Sequence, residues 1–419
     1  MTTVTVEPNG RGVAPEPPSL GAGRLSTSVS GTGLVLLGIV LVALNLRPAV
    51  TSLGALLDEV RAGLHLSGTM AGLITTLPVL SFAAFGSITP RLARRFGPHR
   101  VLSSAVALLS LGLLARALTD SALVFFGTSA LALAGIASAN VLLPGLVKRH
   151  FPTRVGMVTG VYTMTLTLGT AIAAATTVPM AQALGGWHWG LAVWAGVAAV
   201  AVLPWLFLRR HDRGEGATTV GASRVRPART RIGWALAVFF GAQSLSAYVV
   251  MGWLPQLYRD AGFSAQTAGL LVAGLMAVGV PLALFMPALA ARRPDQRPVV
   301  AVLVAATAAG YLGLIFAPHA GALVWTVLLA VGQSAFPLTL AMIGLRSRTP
   351  EGTVALSAFA QSAGYLMAAA GPMVVGALYT STHSWLLPLA FLLGIVVLQG
   401  AVGMVAGRPQ YLEDARLRD

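Results

Sequence analysis

Residues 33–57 read GLVLLGIVLVALNLRPAVTSLGALL, an apolar run whose only charge is Arg47, followed at once by Pro48. A helix needs about 20 residues, at a rise of 1.5 Å each, to cross the hydrocarbon of a bilayer. The run is long enough to do so, and it is too long for the core of a signal peptide. It therefore predicts a transmembrane helix with an arginine near its middle.

The rest of the chain has the same character. Of its 419 residues, 56% are hydrophobic and 10% are charged, whereas a soluble protein carries about 25% charged residues. Barrel strands would alternate in polarity, so the lengths of these apolar stretches indicate helices. The sequence predicts an all-α integral membrane protein with twelve spans, at about 33–57, 68–89, 100–118, 122–146, 155–182, 188–208, 232–257, 266–290, 298–316, 321–344, 353–379 and 385–405.

The basic residues predict the orientation. Of 28 Lys and Arg residues, only Arg61, Arg116 and Arg259 fall in the loops of one side, and only Arg47 lies inside a span. The positive-inside rule then places both termini in the cytoplasm and the chain in the plasma membrane. The net charge of +15 is explained by this topology beside anionic lipid, so no nucleic-acid partner is expected. Arg116 is expected to reach the headgroups.

The chain repeats itself at an interval of 197 or 198 residues. Ala71-Gly72-Leu73 recurs as Ala268-Gly269-Leu270, and Arg95 recurs as Arg292. The repeats predict two pseudo-symmetric six-helix bundles related by an axis along the membrane normal. The predicted organisation is a disordered tail (1–32), a first bundle (33–208), a basic cytoplasmic linker (209–231), a second bundle (232–405) and a cytoplasmic tail (406–419).

This layout resembles the major facilitator superfamily. Arg94-Arg95-Phe96-Gly97-Pro98-His99-Arg100 is similar to the family's basic turn Gly-x-x-x-Asp-Arg-x-Gly-Arg-Arg, with Arg94 at the Asp position. Leu44-Asn45-Leu46-Arg47-Pro48-Ala49-Val50-Thr51-Ser52 and Asn140-Val141-Leu142-Leu143-Pro144, with Lys148-Arg149, resemble the cyanate/nitroimidazole transporter branch. The resemblance implies transport by alternating access. It also implies that basic turns brace the cytoplasmic side, through Arg91, Arg94, Arg95, Gly97, Arg100 and Arg292.

Arg47 is the main candidate for binding. An arginine at the bilayer centre costs about 3 kcal/mol on insertion scales, and no Asp or Glu lies within the spans to compensate it. An anionic substrate is the missing partner that guanidinium chemistry suggests. The alternative is that Arg47 bonds carbonyls freed by Pro48, packs on aromatic rings and never meets substrate.

Neutral polar residues in other spans complete the predicted substrate site. Each of them has the alternative of a helix–helix hydrogen bond. They are Asn45, Asn140, Tyr162, Gln243, Tyr248, Gln333, Gln361 and Tyr365.

Two transport functions compete at this point. The first is a monomeric secondary transporter for a small anionic or strongly polar solute, cyanate-like or nitroaromatic. The second is efflux of a neutral or anionic drug or metabolite by the same fold. No nucleophile triad, paired catalytic carboxylates or metal-ligand set is found, and the chain has no cysteine, so neither an enzyme nor a cofactor is predicted.

Overall fold

A computed structural model describes residues 2–3, 29–66, 68–208 and 226–417. Within these ranges the regular structure is helical. The helices are α1 (Val29–Asn45), α2 (Pro48–Ala55), α3 (Leu57–Gly63), α4 (Gly68–Phe96), α5 (Pro98–Ala117), α6 (Ala122–His150), α7 (Val155–Leu184), α8 (Trp187–Leu208), α9 (Arg231–Asp260), α10 (Ala265–Ala291), α11 (Arg297–Phe316), α12 (Ala322–Gln333), α13 (Ala335–Leu345), α14 (Pro350–Thr382) and α15 (Leu386–Ala406). Short 3-10 turns cover Pro227–Arg229 and Leu412–Leu417.

These helices form twelve spans in two six-helix bundles, as the sequence predicts. In the described part of the chain, 11 helices are long and apolar enough to cross a membrane, counting α1 with α2 and α12 with α13 as one each. The remaining span is α4, whose 29 residues extend about 43 Å at 1.5 Å per residue. We call α1–α8 the first half and α9–α15 the second half.

Two spans are interrupted. The first breaks at Leu46 and Arg47, because Pro48 has no N–H to donate to the carbonyl of Leu44. The carbonyls that Pro48 was expected to free thus lie beside a real break in the helix. The tenth span breaks at Ser334, which the sequence analysis did not predict. There Pro337 leaves the carbonyl of Gln333 without a helical partner, by the same mechanism.

The two halves meet at the end that carries the basic turns 91–100, 148–154, 292–297 and 346–348, which we call the basic end. A Cβ on Gly156 would touch the Pro287 carbonyl, and one on Gly145 would touch the Val354 side chain. Lys148 also donates from Nζ to the carbonyl of Gly344 at 2.8 Å. Small residues thus let the helices approach closely here.

The C-terminal segment packs onto the basic end. Leu412 is fully buried, and its N–H donates to the Arg346 carbonyl at 2.8 Å. The Glu413 carboxylate accepts from the backbone N–H of Arg348 at 3.0 Å. The predicted cytoplasmic tail is therefore held against the basic end as far as residue 414. The predicted disordered tail up to residue 28, apart from residues 2–3, and linker residues 209–225 lie outside the described residues.

Candidate functional site

Arg47 lies between two helices rather than inside one. It is the N-cap residue of α2, with φ −114° and ψ −34°, and its side chain is half-buried. Its carbonyl accepts the N–H groups of Val50 and Thr51, each at 3.0 Å. The break in the span therefore presents the arginine side chain from a turn instead of from a continuous helix.

The Arg47 guanidinium faces aromatic side chains of the second half. Its Cζ atom lies 5.4 Å from the centroid of the Phe336 ring, in α13. The hydroxyl-bearing side chains of Tyr248 in α9 and Tyr365 in α14 also lie beside it. A single charge from the first half is thus in contact with three spans of the second half. We call Arg47, Tyr248, Phe336 and Tyr365 the Arg47 cluster.

No carboxylate in the described part of the chain acts on this charge. The ion pairs among the described residues are His188–Asp120, Arg297–Asp295 and Arg348–Asp414, all at helix ends or in loops. A ring face and two phenol oxygens stabilise a guanidinium, but they leave its net charge unchanged. The cluster therefore keeps a positive charge that a bound anion could neutralise.

Further rings surround Tyr365. The Phe82 and Phe240 rings each lie 4.9 Å from it, centroid to centroid, and Phe240 meets it edge to face at 84°. Phe240 also packs against Phe336 at 5.8 Å. The sequence analysis missed all three phenylalanines, because nothing in an apolar span distinguishes a ring that faces a site from one that faces lipid.

Four of the predicted amides, those of Asn45, Gln243, Gln333 and Gln361, form hydrogen bonds inside the protein. Asn45 is buried, and its Nδ2 donates to the carbonyls of Leu41 at 2.8 Å and Val197 at 3.4 Å. Gln243 is also buried; it donates to Gln333 Oε1 at 2.6 Å and accepts from Gln399 Nε2 at 3.2 Å. In this conformation Asn45 joins α1 to α8, and Gln243 joins α9 to α12 and α15.

The remaining predicted residues differ in their burial and in their hydrogen-bond partners. Gln361 donates to Ser357 Oγ at 2.7 Å and to the Asn140 carbonyl at 3.3 Å, which joins α14 to α6. The Asn140 side chain is half-buried, as is that of Gln333. The Tyr162 hydroxyl is buried and has no hydrogen-bond partner among the described residues. Of the predicted set, the structure brings Tyr248 and Tyr365 onto Arg47.

The predicted basic turn joins α4 to α5. Gly97 has φ +88° there, a conformation that other residues rarely adopt. Arg91, Arg94 and Arg95 are exposed, and Arg95 lies over the Phe96 ring at 5.2 Å. Arg100, at the start of α5, is half-buried, and Arg292 is exposed at the equivalent turn of the second half. The basic residue that contacts the other half here is Lys148. It was not among the residues predicted to brace the cytoplasmic side.

One sequence expectation is wrong. Arg116 was expected to reach the headgroups, but its side chain is buried with 1% exposure. Its Nη2 lies 3.4 Å from Ser52 Oγ, and its Nε has no partner among the described residues. The reason is that this turn of α5 faces the interior of the first half, so the chain holds a second arginine away from solvent.

Comparison with known proteins places this geometry in a family. The sequence model of the Major Facilitator Superfamily matches residues 25–372 of this chain. The chain is 36% identical to the 2-nitroimidazole transporter of Escherichia coli over 91% of its length and 98% of that protein. It is 31% identical to the cyanate transport protein CynX of the same organism, over 85% of this chain and 93% of that protein.

A solved structure shares the fold. The proton:xylose symporter XylE, bound to 6-bromo-6-deoxy-D-glucose, superposes with a TM-score of 0.73 at 14% identity, covering 93% of this chain and 99% of that one. At that identity the similarity concerns the fold alone. Together with the two relatives and the twelve-helix architecture, the family match shows that this chain belongs to the Major Facilitator Superfamily of membrane transporters.

Proposed function

We propose that this transporter carries a small, flat anion or strongly polar solute, and that Arg47 binds it at mid-depth in the membrane. The observation that supports this most is the Arg47 cluster. A half-buried guanidinium at a helix break faces Tyr248, Tyr365 and Phe336 of the opposite half, without an acidic partner in the described part of the chain. A solute held there would contact both halves at once.

The chemistry of the cluster favours a particular shape of solute. A guanidinium offers parallel N–H donors to two oxygens of a planar group. Phenol hydroxyls can add further hydrogen bonds, and ring faces can pack on a flat molecule. A nitro group presents two such oxygens, and the linear cyanate ion can accept hydrogen bonds at its terminal oxygen or nitrogen. The relatives named for 2-nitroimidazole and cyanate transport support this choice of class.

A single arginine favours a solute with at most one negative charge. At the repeat interval, the residue equivalent to Arg47 is Ser244 or Leu245. The second half therefore contributes polar and aromatic groups instead of a second cation. A polyvalent anion would keep uncompensated charge in a region of low dielectric constant, which is unfavourable.

Transport would proceed by rocking of the halves about the bound solute. If the basic end is cytoplasmic, as its arginines suggest, the contacts of Gly145, Lys148 and Gly156 close the cytoplasmic side. Opening that side requires these contacts to separate. Both termini would then lie in the cytoplasm.

Coupling to protons has no carboxylate to rely on within the spans. We therefore propose uniport or exchange, or a proton that travels on the solute itself. Uptake into proteoliposomes with and without an inward pH gradient tests this part. Uptake that is independent of the gradient agrees with uniport, and strong acceleration of a permanently charged anion by inward protons contradicts it.

The substrate proposal is tested by uptake of radiolabelled cyanate and 2-nitroimidazole into proteoliposomes. Arg47→Ala and Arg47→Lys should both reduce uptake to background at unchanged protein incorporation, because neither residue can form a two-point contact. Arg259→Ala, which removes an exposed arginine at the other end of the bundle, serves as the control. Near-normal uptake by Arg47→Ala would contradict the proposal.

The same vesicles address drug or metabolite efflux, the second function that the sequence leaves open. Uptake of a neutral drug into inside-out vesicles is measured for the wild type and for Arg47→Ala. Equal uptake by the two proteins would favour efflux of neutral compounds over the proposal made here.

A further inference from the structure

A polar cleft of about 300 Å³ opens at the basic end of the second half. It lies between the end of α10, the loop into α11, the end of α13 and the C-terminal segment. Its lining includes Arg292, Arg293, Gln296, Arg346 and Tyr411, and it shares no lining residue with the Arg47 cluster. The volume is roughly ten times the 30 Å³ share of one water in the liquid, so a phosphate-sized group fits.

Arg346 provides a fixed cationic wall for this cleft. Its side chain is buried with 3% exposure; Nε donates to the Ala406 carbonyl at 3.0 Å, and Nη2 donates to the Gly407 carbonyl at 2.8 Å. Nη2 also contacts Gln296 Oε1. Nη1 has no hydrogen-bond partner among the described residues. The guanidinium is thus held in place by neutral oxygens and keeps both its charge and spare donors.

The neighbouring carboxylates are already engaged. Asp295 binds Arg297 through both oxygens, with the shortest contact at 2.6 Å. Asp414 pairs with Arg348 at 2.8 Å. No acidic residue lines the cleft itself. Arg292, Arg293 and Arg346 therefore leave an excess of positive charge in and around it.

We propose that this cleft binds a phosphate-bearing anion, supplied either by a lipid headgroup of the adjoining leaflet or by free phosphate. Guanidinium groups match phosphate oxygens in geometry and charge. Basic clefts at the ends of membrane helices also attract anionic headgroups. The cleft is separate from the transport path proposed for Arg47. The test of this proposal therefore does not depend on which solute is transported.

The repeat supplies a matched control. At the repeat interval, Lys148 corresponds to Arg346 and Arg95 to Arg292. Lys148, however, donates to carbonyls of the other half, at Gly344 and Ser347, instead of lining a cleft in its own half. The basic turn of the first half therefore carries similar charge without the fixed guanidinium behind it.

The test is native mass spectrometry of the detergent-purified full chain with added dioleoyl phosphatidylglycerol or dioleoyl phosphatidylcholine. Wild type is compared with Arg292→Gln/Arg293→Gln and with the control Arg94→Gln/Arg95→Gln. At about 1 kcal/mol for each arginine near an anionic surface, the cleft variant should lose phosphatidylglycerol affinity by about tenfold or more. The control removes the same number of exposed charges from the basic end, but its arginines do not line the cleft that contains Arg346, so it should lose clearly less phosphatidylglycerol affinity than the cleft variant.

A second measurement separates the two sources of phosphate. Thermal unfolding is followed with inorganic phosphate or with chloride at equal ionic strength. Stabilisation of the wild type, but not of the cleft variant, by inorganic phosphate identifies a soluble ligand; retention of phosphatidylglycerol alone identifies a headgroup. The proposal is overturned if neither ligand distinguishes the cleft variant from wild type, if the control variant loses as much as the cleft variant, or if phosphatidylcholine is retained as well as phosphatidylglycerol.

Discussion

Among the residues that the structure describes, the groups that surround the Arg47 guanidinium are neutral. An arginine at the bilayer centre costs about 3 kcal/mol on insertion scales. Contact with the Phe336 ring recovers roughly 0.5–2 kcal/mol, and the polar side chains of Tyr248 and Tyr365 lie beside the charged group. These groups let the arginine remain in the membrane without a carboxylate that would compete with an incoming anion. This is the arrangement expected of a binding site that is emptied and refilled in each cycle.

The two tyrosines can be tested one at a time. Tyr248→Phe and Tyr365→Phe each remove one hydroxyl from Arg47 and keep the ring. We propose that each hydroxyl hydrogen-bonds the solute beside Arg47. Because a hydrogen bond to a charged group contributes about 1.5–3 kcal/mol, each change should raise the KM for uptake by roughly tenfold or more. The measurement is concentration-dependent uptake at matched protein incorporation.

Tyr258→Phe provides the comparison for that experiment. Its hydroxyl is buried and bonded to Thr326 at 2.6 Å, away from Arg47. Loss of this bond should lower thermal stability and leave the KM unchanged. A shift in KM for Tyr258→Phe as large as that for Tyr365→Phe would mean that general loosening of the bundle, and not the Arg47 contact, sets the affinity.

Single residues also show where sequence reasoning reaches its limit. Arg47 could be identified because a charge in the middle of an apolar run is unfavourable anywhere in a bilayer. The burial of Arg116 could not, because a residue near a span end can face either headgroups or the bundle, and the apolar pattern is similar on both faces of α5. The sequence predicts that Asn45 and Gln243 lie near the central axis, but it does not show the partners that their amides bind, which lie on other helices.

The two broken spans present side chains that continuous helices would direct elsewhere. Arg47 follows the break in the first span, and Phe336 follows the break in the tenth. The tenth-span break is held by Gln243, whose Nε2 lies 3.3 Å from the carbonyl of Gln333. That carbonyl is available because Pro337 cannot donate to it. The breaks therefore place the two groups that meet in the cation–π contact.

Restoring the missing donor should close the second break. Pro337→Ala supplies an N–H for the Gln333 carbonyl, and a proline inside a helix costs about 3 kcal/mol. We expect a higher unfolding temperature together with slower uptake, because Phe336 would turn away from Arg47. Circular dichroism melts and uptake rates on the same preparation measure both effects.

Pro372→Ala is the control for the proline change, since Pro372 lies inside the continuous helix α14. It should raise stability without slowing uptake. Slower uptake in both variants would indicate that rigidity in general, and not the break at Ser334, limits transport.

The existence of the spans was easier to predict than their breaks. Length and apolar content identify a span because helices and closed barrels are the structures that satisfy backbone hydrogen bonds inside a bilayer. Proline alone does not predict a break, since Pro78, Pro144, Pro204 and Pro372 all lie within continuous helices. Pro48 was informative because it adjoins a buried charge; Pro337 has no such neighbour in the sequence.

The whole molecule is closed at the basic end by direct contact between its halves. Glycines at 145 and 156 leave room for the opposite helices, and Lys148 bridges to α13 and the turn that follows it. Alternating access requires this seam to open in each cycle. A covalent link across it should therefore stop transport without disturbing either bundle.

The absence of native cysteine makes that experiment direct. In the double variant Gly145→Cys/Val354→Cys, the two side chains meet across the seam. Oxidation should form a disulfide, reduce uptake to background and leave the fold intact; reduction should restore uptake. The same oxidant should not change the uptake rate of either single-cysteine variant.

An oxidised double variant that transports at the rate of the reduced one would show that the seam does not open during the cycle. Cross-linking efficiency, read from a gel shift after limited cleavage in the linker, must accompany the uptake data.

The central claim is that Arg47 binds the transported solute, and equilibrium binding tests it most directly. Radiolabelled cyanate or 2-nitroimidazole, whichever the wild type takes up, is dialysed against detergent-purified wild type, Arg47→Lys and Arg47→Ala. Loss of a charged hydrogen-bonded contact predicts a Kd raised by about tenfold or more for Arg47→Ala, with a smaller loss for Arg47→Lys. An unchanged Kd in the folded alanine variant would contradict the claim.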